Sequence, residues 1–147
     1  MALVYLDTSA LVHLCVPGSG SRLVAALWNR ADVVVTSRVA DVELQAVLAA
    51  GLRSGALAPD EHAAALARWA DVWPALSLVE LTPEVAASSA ELVRRSPVAL
   101  RAGDAVHVAS ALVVAHEDTL VAAWDPAVVA AARAEGLVVL PGERAVT

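Results

Sequence analysis

The sequence predicts one parallel α/β domain over residues 1–147, with a sheet of about five strands covered by helices on both faces in a three-layer arrangement. Three observations predict it. Short apolar, strand-like runs alternate along the chain with longer helical patterns, the order that builds a parallel sheet with crossover helices. Hydrophobic residues make up 59% of the chain, most of them Ala, Val and Leu, which is incompatible with disorder. At 147 residues the chain is the size of an ordinary domain able to bury its own core.

Each element has a local reason. Leu3–Leu6 reads as a strand because Val, Tyr and Leu pack well on a pleated surface. A helical pattern follows at 19–30, a strand at 33–36 and a helix at 38–53. Pro59, Asp60 and Glu61 open a helix over 59–73, since proline suits the first helical position and acids suit the first turn. A strand at 77–80 leads to a helix at 83–94, opened by Pro83 and Glu84. A helix at 104–115 precedes a strand at 119–123. Pro126, after Asp125, starts a helix at 126–135, and Gly136 stands where a helix C-terminal glycine is expected before a strand at 137–140. Residues 51–59 and 95–103 read as loops. The GSGSRL stretch at residues 18–23 lacks the third glycine of a dinucleotide fingerprint, and no acid ends the following strand, so it reads as a loop capping a helix.

Composition excludes several functions. No apolar run approaches the roughly 18–20 residues that span a bilayer, and no secretory signal is visible. Cys15 has no second cysteine to pair with. A cytoplasmic protein without a membrane is the expectation. The net charge of −6 makes a poor general nucleic-acid binder, so any such binding must be local, through a metal or a few arginines. All ten basic residues are arginine, which rules out chemistry needing a lysine ammonium.

Four carboxylates stand in positions that ask for an explanation. Asp7 and Asp125 each end a strand, and the carboxyl ends of parallel strands open onto one rim where ligands bind. Each also suits a helix N-cap. Glu43 falls on a stripe with Val39, Val42, Ala46, Val47 and Ala50, while Arg38, Asp41 and Gln45 form the polar stripe of the same helix. It is an edge residue, one half of an ion pair, or a ligand. Asp104 lies in the first turn of a helix that is apolar almost all round, where it either caps or binds. His107, one turn on, reads as a hydrogen-bonded core histidine. Brought together, four carboxylates repel one another unless protonated or neutralised by a cation, and oxygen-only ligands suit Mg²⁺ or Mn²⁺.

The sequence resembles the PIN-domain ribonucleases, in particular the VapC-type toxins of toxin–antitoxin pairs. The resemblance runs through VYLDTSALV, TSRVADVELQAVL, LRAGDAVHVASAL and AAWDPAVVAAARAEGLVVL, in this order along essentially the whole chain. It implies a PIN-like fold and a metal-dependent endoribonuclease whose four-acid site corresponds to Asp7, Glu43, Asp104 and Asp125. Ser9, with Thr8 beside it, matches the hydroxyl that supports the first aspartate. It also implies an RNA substrate, a cognate antitoxin and a homodimer. Pro126 departs from the basic or polar residue usual after the last aspartate, and Trp124 is bulkier than the usual Phe or Tyr. Arg94, Arg95 and Arg101 cluster before Asp104 and are candidates to hold substrate phosphates, or they form a solvated loop end.

Two other readings stand beside this one. A phosphoaspartate-type phosphatase or receiver domain would need an active-site lysine, and the chain has none. A catalytically silent PIN-like binding module would keep the fold without the chemistry. Trp69 and Trp73, at i, i+4 spacing, either complete the core or line a groove for an apolar antitoxin helix.

Overall fold

The structure, a computed structural model, describes residues 1–142. Its strands are β1 (Leu3–Leu6), β2 (Val33–Ser37), β3 (Ser77–Val79), β4 (Leu120–Ala122) and β5 (Val138–Leu140). Its helices are α1 (Thr8–Cys15), α2 (Ser21–Arg30), α3 (Ala40–Ser54), α4 (Pro59–Val72), α5 (Pro83–Arg95), α6 (Ala102–Val114) and α7 (Pro126–Ala134). The strands run parallel in the order β3-β2-β1-β4-β5. The chain therefore builds outward from β1 to one side, then returns to start again at β4 on the other. That reversal leaves a crevice at the carboxyl ends of β1 and β4, the place where sheets of this kind bind ligands.

Side-chain alternation along β1 sorts the core into two layers. Leu3 and Tyr5 join Val121, Val35 and the inner faces of α5, α6 and α7. Val4 and Leu6 point the other way, into a layer with Leu11, Val24, Leu44, Leu48, Ala65 and Trp69 from α1 to α4. With both faces covered, every β1 side chain is buried, which is why the strand is apolar throughout. The expected three-layer architecture is the observed one.

The departures are local. The helix near Ser9, considered above only as something Asp7 would cap, is a full element, α1. Its eight residues are apolar on more than one side, so no single period stands out in TSALVHLC. Helix α3 runs to Ser54, into the stretch read as a loop, and ends at Gly55, whose φ of 78° is left-handed. The stripe assigned to the core of α3 is corrected as well. The buried face is Ala40, Leu44 and Leu48, whereas Val42 is 73% and Val47 45% exposed. Glu43 is on the flank between these faces. Both stripes are apolar, so periodicity could not choose between them.

Candidate functional site

The crevice at the ends of β1 and β4 is a cleft of about 570 Å³. Asp7, Thr8, Ser9, Glu43, Arg101, Asp104 and Asp125 all line it, from three helix N-termini and the flank of α3.

Asp7 follows β1 and caps α1, its Oδ1 accepting the Ala10 N–H at 2.9 Å and the Ser9 hydroxyl at 2.6 Å. The Ser9 oxygen in turn accepts the N–H groups of Trp124 (2.8 Å) and Asp125 (3.3 Å). One hydroxyl thus ties the end of β1 to the end of β4. Asp125 caps α7, with Oδ1 accepting from Ala127 and Val128 at 2.9 and 3.3 Å. Pro126 removes a helical N–H that would have had no partner. Asp104 sits at the third position of α6, and its Oδ2 accepts the Arg101 N–H at 3.0 Å. Capping and cleft-lining, set against each other in the sequence, coincide in all three aspartates.

Glu43 is held differently. Its Oε1 accepts from Thr8 Oγ1 at 2.9 Å and lies 2.6 Å from His107 Nε2. His107 Nδ1 is 2.8 Å from the buried Tyr5 hydroxyl. Burial pushes the Tyr5 phenol well above its ordinary pKa, so the hydroxyl stays protonated, and the imidazole spans it and the Glu43 carboxylate. Gly103 makes room for the same carboxylate, because a Cβ there would come within 2.6 Å of Glu43 Oε2. His107 is the hydrogen-bonded core histidine expected from the sequence, but its tie to Glu43, and the parts of Tyr5 and Gly103, had no visible sign there. The signal that could have found them is one helix, α6, carrying a histidine one turn after an acid within an apolar face.

The electrostatics follow from these partners. Burial raises the Asp7 pKa, and the charge of Asp125 adds to the rise, against hydrogen bonds from Ser9 and Ala10 and the attraction of His107. Burial pushes Glu43 up too, but the His107 and Thr8 hydrogen bonds and the charge of Arg101 outweigh it and hold Glu43 below the ordinary range. Arg101 lies across the mouth. Its Nε is 3.2 Å from Asp104 Oδ2, and its Nη2 is 3.3 Å from Asp104 Oδ1 and 3.1 Å from Asp125 Oδ2. The guanidinium therefore already pairs with two of the four acids and shares its single positive charge between them.

Among the described residues, no three His, Cys, Asp or Glu side chains form a ready-made metal cage. The donor chemistry nevertheless fits a hard divalent cation. Four carboxylates face one cleft, and a positive group, Arg101, is drawn between two of them. Of the other arginines predicted to hold phosphate, neither Arg94 nor Arg95 lines the cleft. Arg95 pairs with Glu91 (3.3 Å) and Glu135 (3.0 Å), because the last turn of α5 aims it along that helix and toward the end of α7.

Comparison with known proteins fits this geometry. The PIN domain family matches residues 4–137. Ribonuclease VapC45 of Mycobacterium tuberculosis is 43% identical over 143 residues, spanning 97% of this chain and 98% of that protein. Among solved structures, Mycobacterium tuberculosis VapC20, described as a sarcin–ricin loop cleaving toxin, superposes with a TM-score of 0.68 at 20% identity, over 92% of this chain and 96% of that one. VapBC2 from Rickettsia felis, bound to a DNA fragment from its promoter, gives 0.63 at 13% identity, over 93% and 96%. The chain belongs to the PIN domain family, and within that family it is of the VapC type.

Proposed function

We propose that the protein is a divalent-metal-dependent endoribonuclease and the toxin of a toxin–antitoxin pair, with RNA as substrate. The observation that carries this reading is the convergence of Asp7, Glu43, Asp104 and Asp125 on one cleft of a VapC-type PIN fold. The named ribonuclease relative supports the choice of RNA. A cognate antitoxin, a second copy of the chain and a cytoplasmic setting belong to the same reading. No helix among the described residues is long and apolar enough to cross a membrane.

The four carboxylates would hold Mg²⁺ or Mn²⁺, with Asp7 and Asp104 as the main ligands. When bound, the ion supplies charge stabilisation at the reacting phosphate and acidifies the attacking water. The chain's own residues do the rest. Ser9 keeps Asp7 and Asp125 in register, and Thr8 and His107 aim Glu43. Arg101 is the arginine on the cleft wall, and a substrate phosphate would compete with Asp104 and Asp125 for its guanidinium.

The test is incubation of purified, antitoxin-free protein with mixed cellular RNA, with and without Mg²⁺ or Mn²⁺, followed by mapping of the cut ends. Defined cuts that vanish in chelator are expected. The Arg101 bridge to Asp104 and Asp125 favours one competing reading, a silent binding module whose acids are structural. RNA left intact under every metal condition would establish that reading instead.

A further inference from the structure

The wall of the cleft next to Asp125 is aromatic. Trp124 and His13 both line it, their ring centroids 4.4 Å apart at an interplanar angle of 56°. Among the residues lining the cleft, Trp124 is the only Phe, Tyr or Trp. The pair is seated closely. A Cβ on Gly20 would come within 2.7 Å of His13 Cδ2 and Nε2 and of Trp124 Cζ2, so glycine in the turn before α2 leaves room for both rings as they sit. The Trp124 backbone N–H donates to Ser9 Oγ, the hydroxyl that also binds Asp7, so the main chain that carries the indole is held in register with the acids. Burial lowers the His13 pKa, which keeps that ring uncharged at neutral pH. The indole beside a tilted, uncharged imidazole is a half-buried apolar wall with nothing to offer a phosphate. It matches the face of an unpaired nucleobase, the group that aromatic and histidine side chains take from single-stranded RNA.

We propose that the His13–Trp124 pair, seated on Gly20, is a stacking subsite for an unpaired nucleobase of the RNA beside the phosphate presented to the acids, and helps to select the cut site. This rests on the ribonuclease reading above. The geometry gives the pair a role distinct from that of the carboxylates. It positions the base, whereas they act at the phosphate.

The test is binding of a short 2′-O-methyl oligonucleotide and of its fully abasic counterpart, in Mg²⁺ and with strand integrity checked by gel, to wild type, Trp124→Ala, Trp124→Phe and Gly20→Ala. Wild type should prefer the base-bearing strand. Trp124→Ala should weaken that strand's binding roughly five- to hundredfold while leaving abasic binding unchanged. Trp124→Phe should keep most of the affinity, and Gly20→Ala, which displaces the rings, should lose part of it. Melting curves identify any variant that fails to fold, and the wild-type comparison of the two strands needs no variant. Equal wild-type affinity for the base-bearing and abasic strands overturns the proposal, as does a folded Trp124→Ala that binds like wild type. On cellular RNA, Trp124→Ala should change the bases flanking the cuts. If wild type cuts nothing, the ribonuclease reading has failed; if Trp124→Ala cuts the same sites equally well, this proposal alone has failed.

Discussion

At Asp7 both described hydrogen bonds land on Oδ1, from Ala10 and Ser9, so the cap occupies one carboxylate oxygen. An amide oxygen can take the same two bonds, and Asn caps helices about as well as Asp. Burial also raises the Asp7 pKa above its unfolded value. The folded protein then binds the proton more tightly, so this group's contribution to stability falls as pH rises from the ordinary carboxylate value to the raised one. At neutral pH the Asp7 charge is a cost. Asp7→Asn should therefore fold with a melting temperature equal to or above that of wild type, yet lose metal-dependent RNA cleavage by orders of magnitude. A folded Asp7→Asn with full activity would remove Asp7 from the site. Arg101 supports a second test, because its guanidinium already sits where a cation would neutralise Asp104 and Asp125. Arg101→Gln should melt lower without metal and gain more from Mg²⁺ or Mn²⁺ than wild type does. A thermal scan showing the same metal-induced rise in both proteins would rule out competition between the arginine and the ion.

Three helices, α1, α6 and α7, begin at the cleft, each with an aspartate at its start. Their N-termini bring partial positive charge to the point where the carboxylates gather, which offsets part of the mutual repulsion. In the layer it shares with α1, α3 presents Glu43, and its backing depends on α4. Trp69 of α4 is 3% exposed, and its indole N–H donates to Asp41 Oδ1 at 2.7 Å. Its ring meets Trp73 at a centroid distance of 5.3 Å. Of the two roles considered for these tryptophans, Trp69 is a core residue. Trp69→Ala should cost about 3–5 kcal/mol in urea denaturation, and Trp69→Phe clearly less. A cost below about 1 kcal/mol would mean that α4 does not need this side chain to hold α3, and would return Trp69 to the docking role.

For the molecule as a whole, a net charge of −6 and four carboxylates in one cleft make the metal-free protein electrostatically unfavourable at its site. A divalent ion that binds only the native state should stabilise it by about 2.7 kcal/mol at a hundred times its Kd. For a chain of this length that is a rise in Tm of about 5–11 °C, reversed by chelator. A melting curve indifferent to millimolar Mg²⁺ and Mn²⁺ would count against the cluster as a metal site.

The layered parallel architecture was legible in the sequence, because strands buried on both faces must be apolar and their helices carry their own start and stop signals at Pro59, Pro83, Pro126 and Gly136. The sequence also singled out all four carboxylates, since an acid at a strand end or in an apolar helix stands out against its neighbours. Tertiary structure alone decided what those acids touch. The sorting of α3, with two apolar faces, waited on which one met the sheet. The Tyr5–His107–Glu43 chain joins residues 5, 107 and 43, and the Ser9 bridge joins β1 to β4; neither leaves a periodic trace in the sequence. Arg94, Arg95 and Arg101 look equivalent in the chain, but only Arg101 reaches the cleft, since Arg95 is held along α5 by Glu91 and Glu135. Local propensity acts over a few residues, whereas a site is assembled from contacts across a hundred. The types of group in this cleft could be read from the sequence, and their partners only from the folded chain.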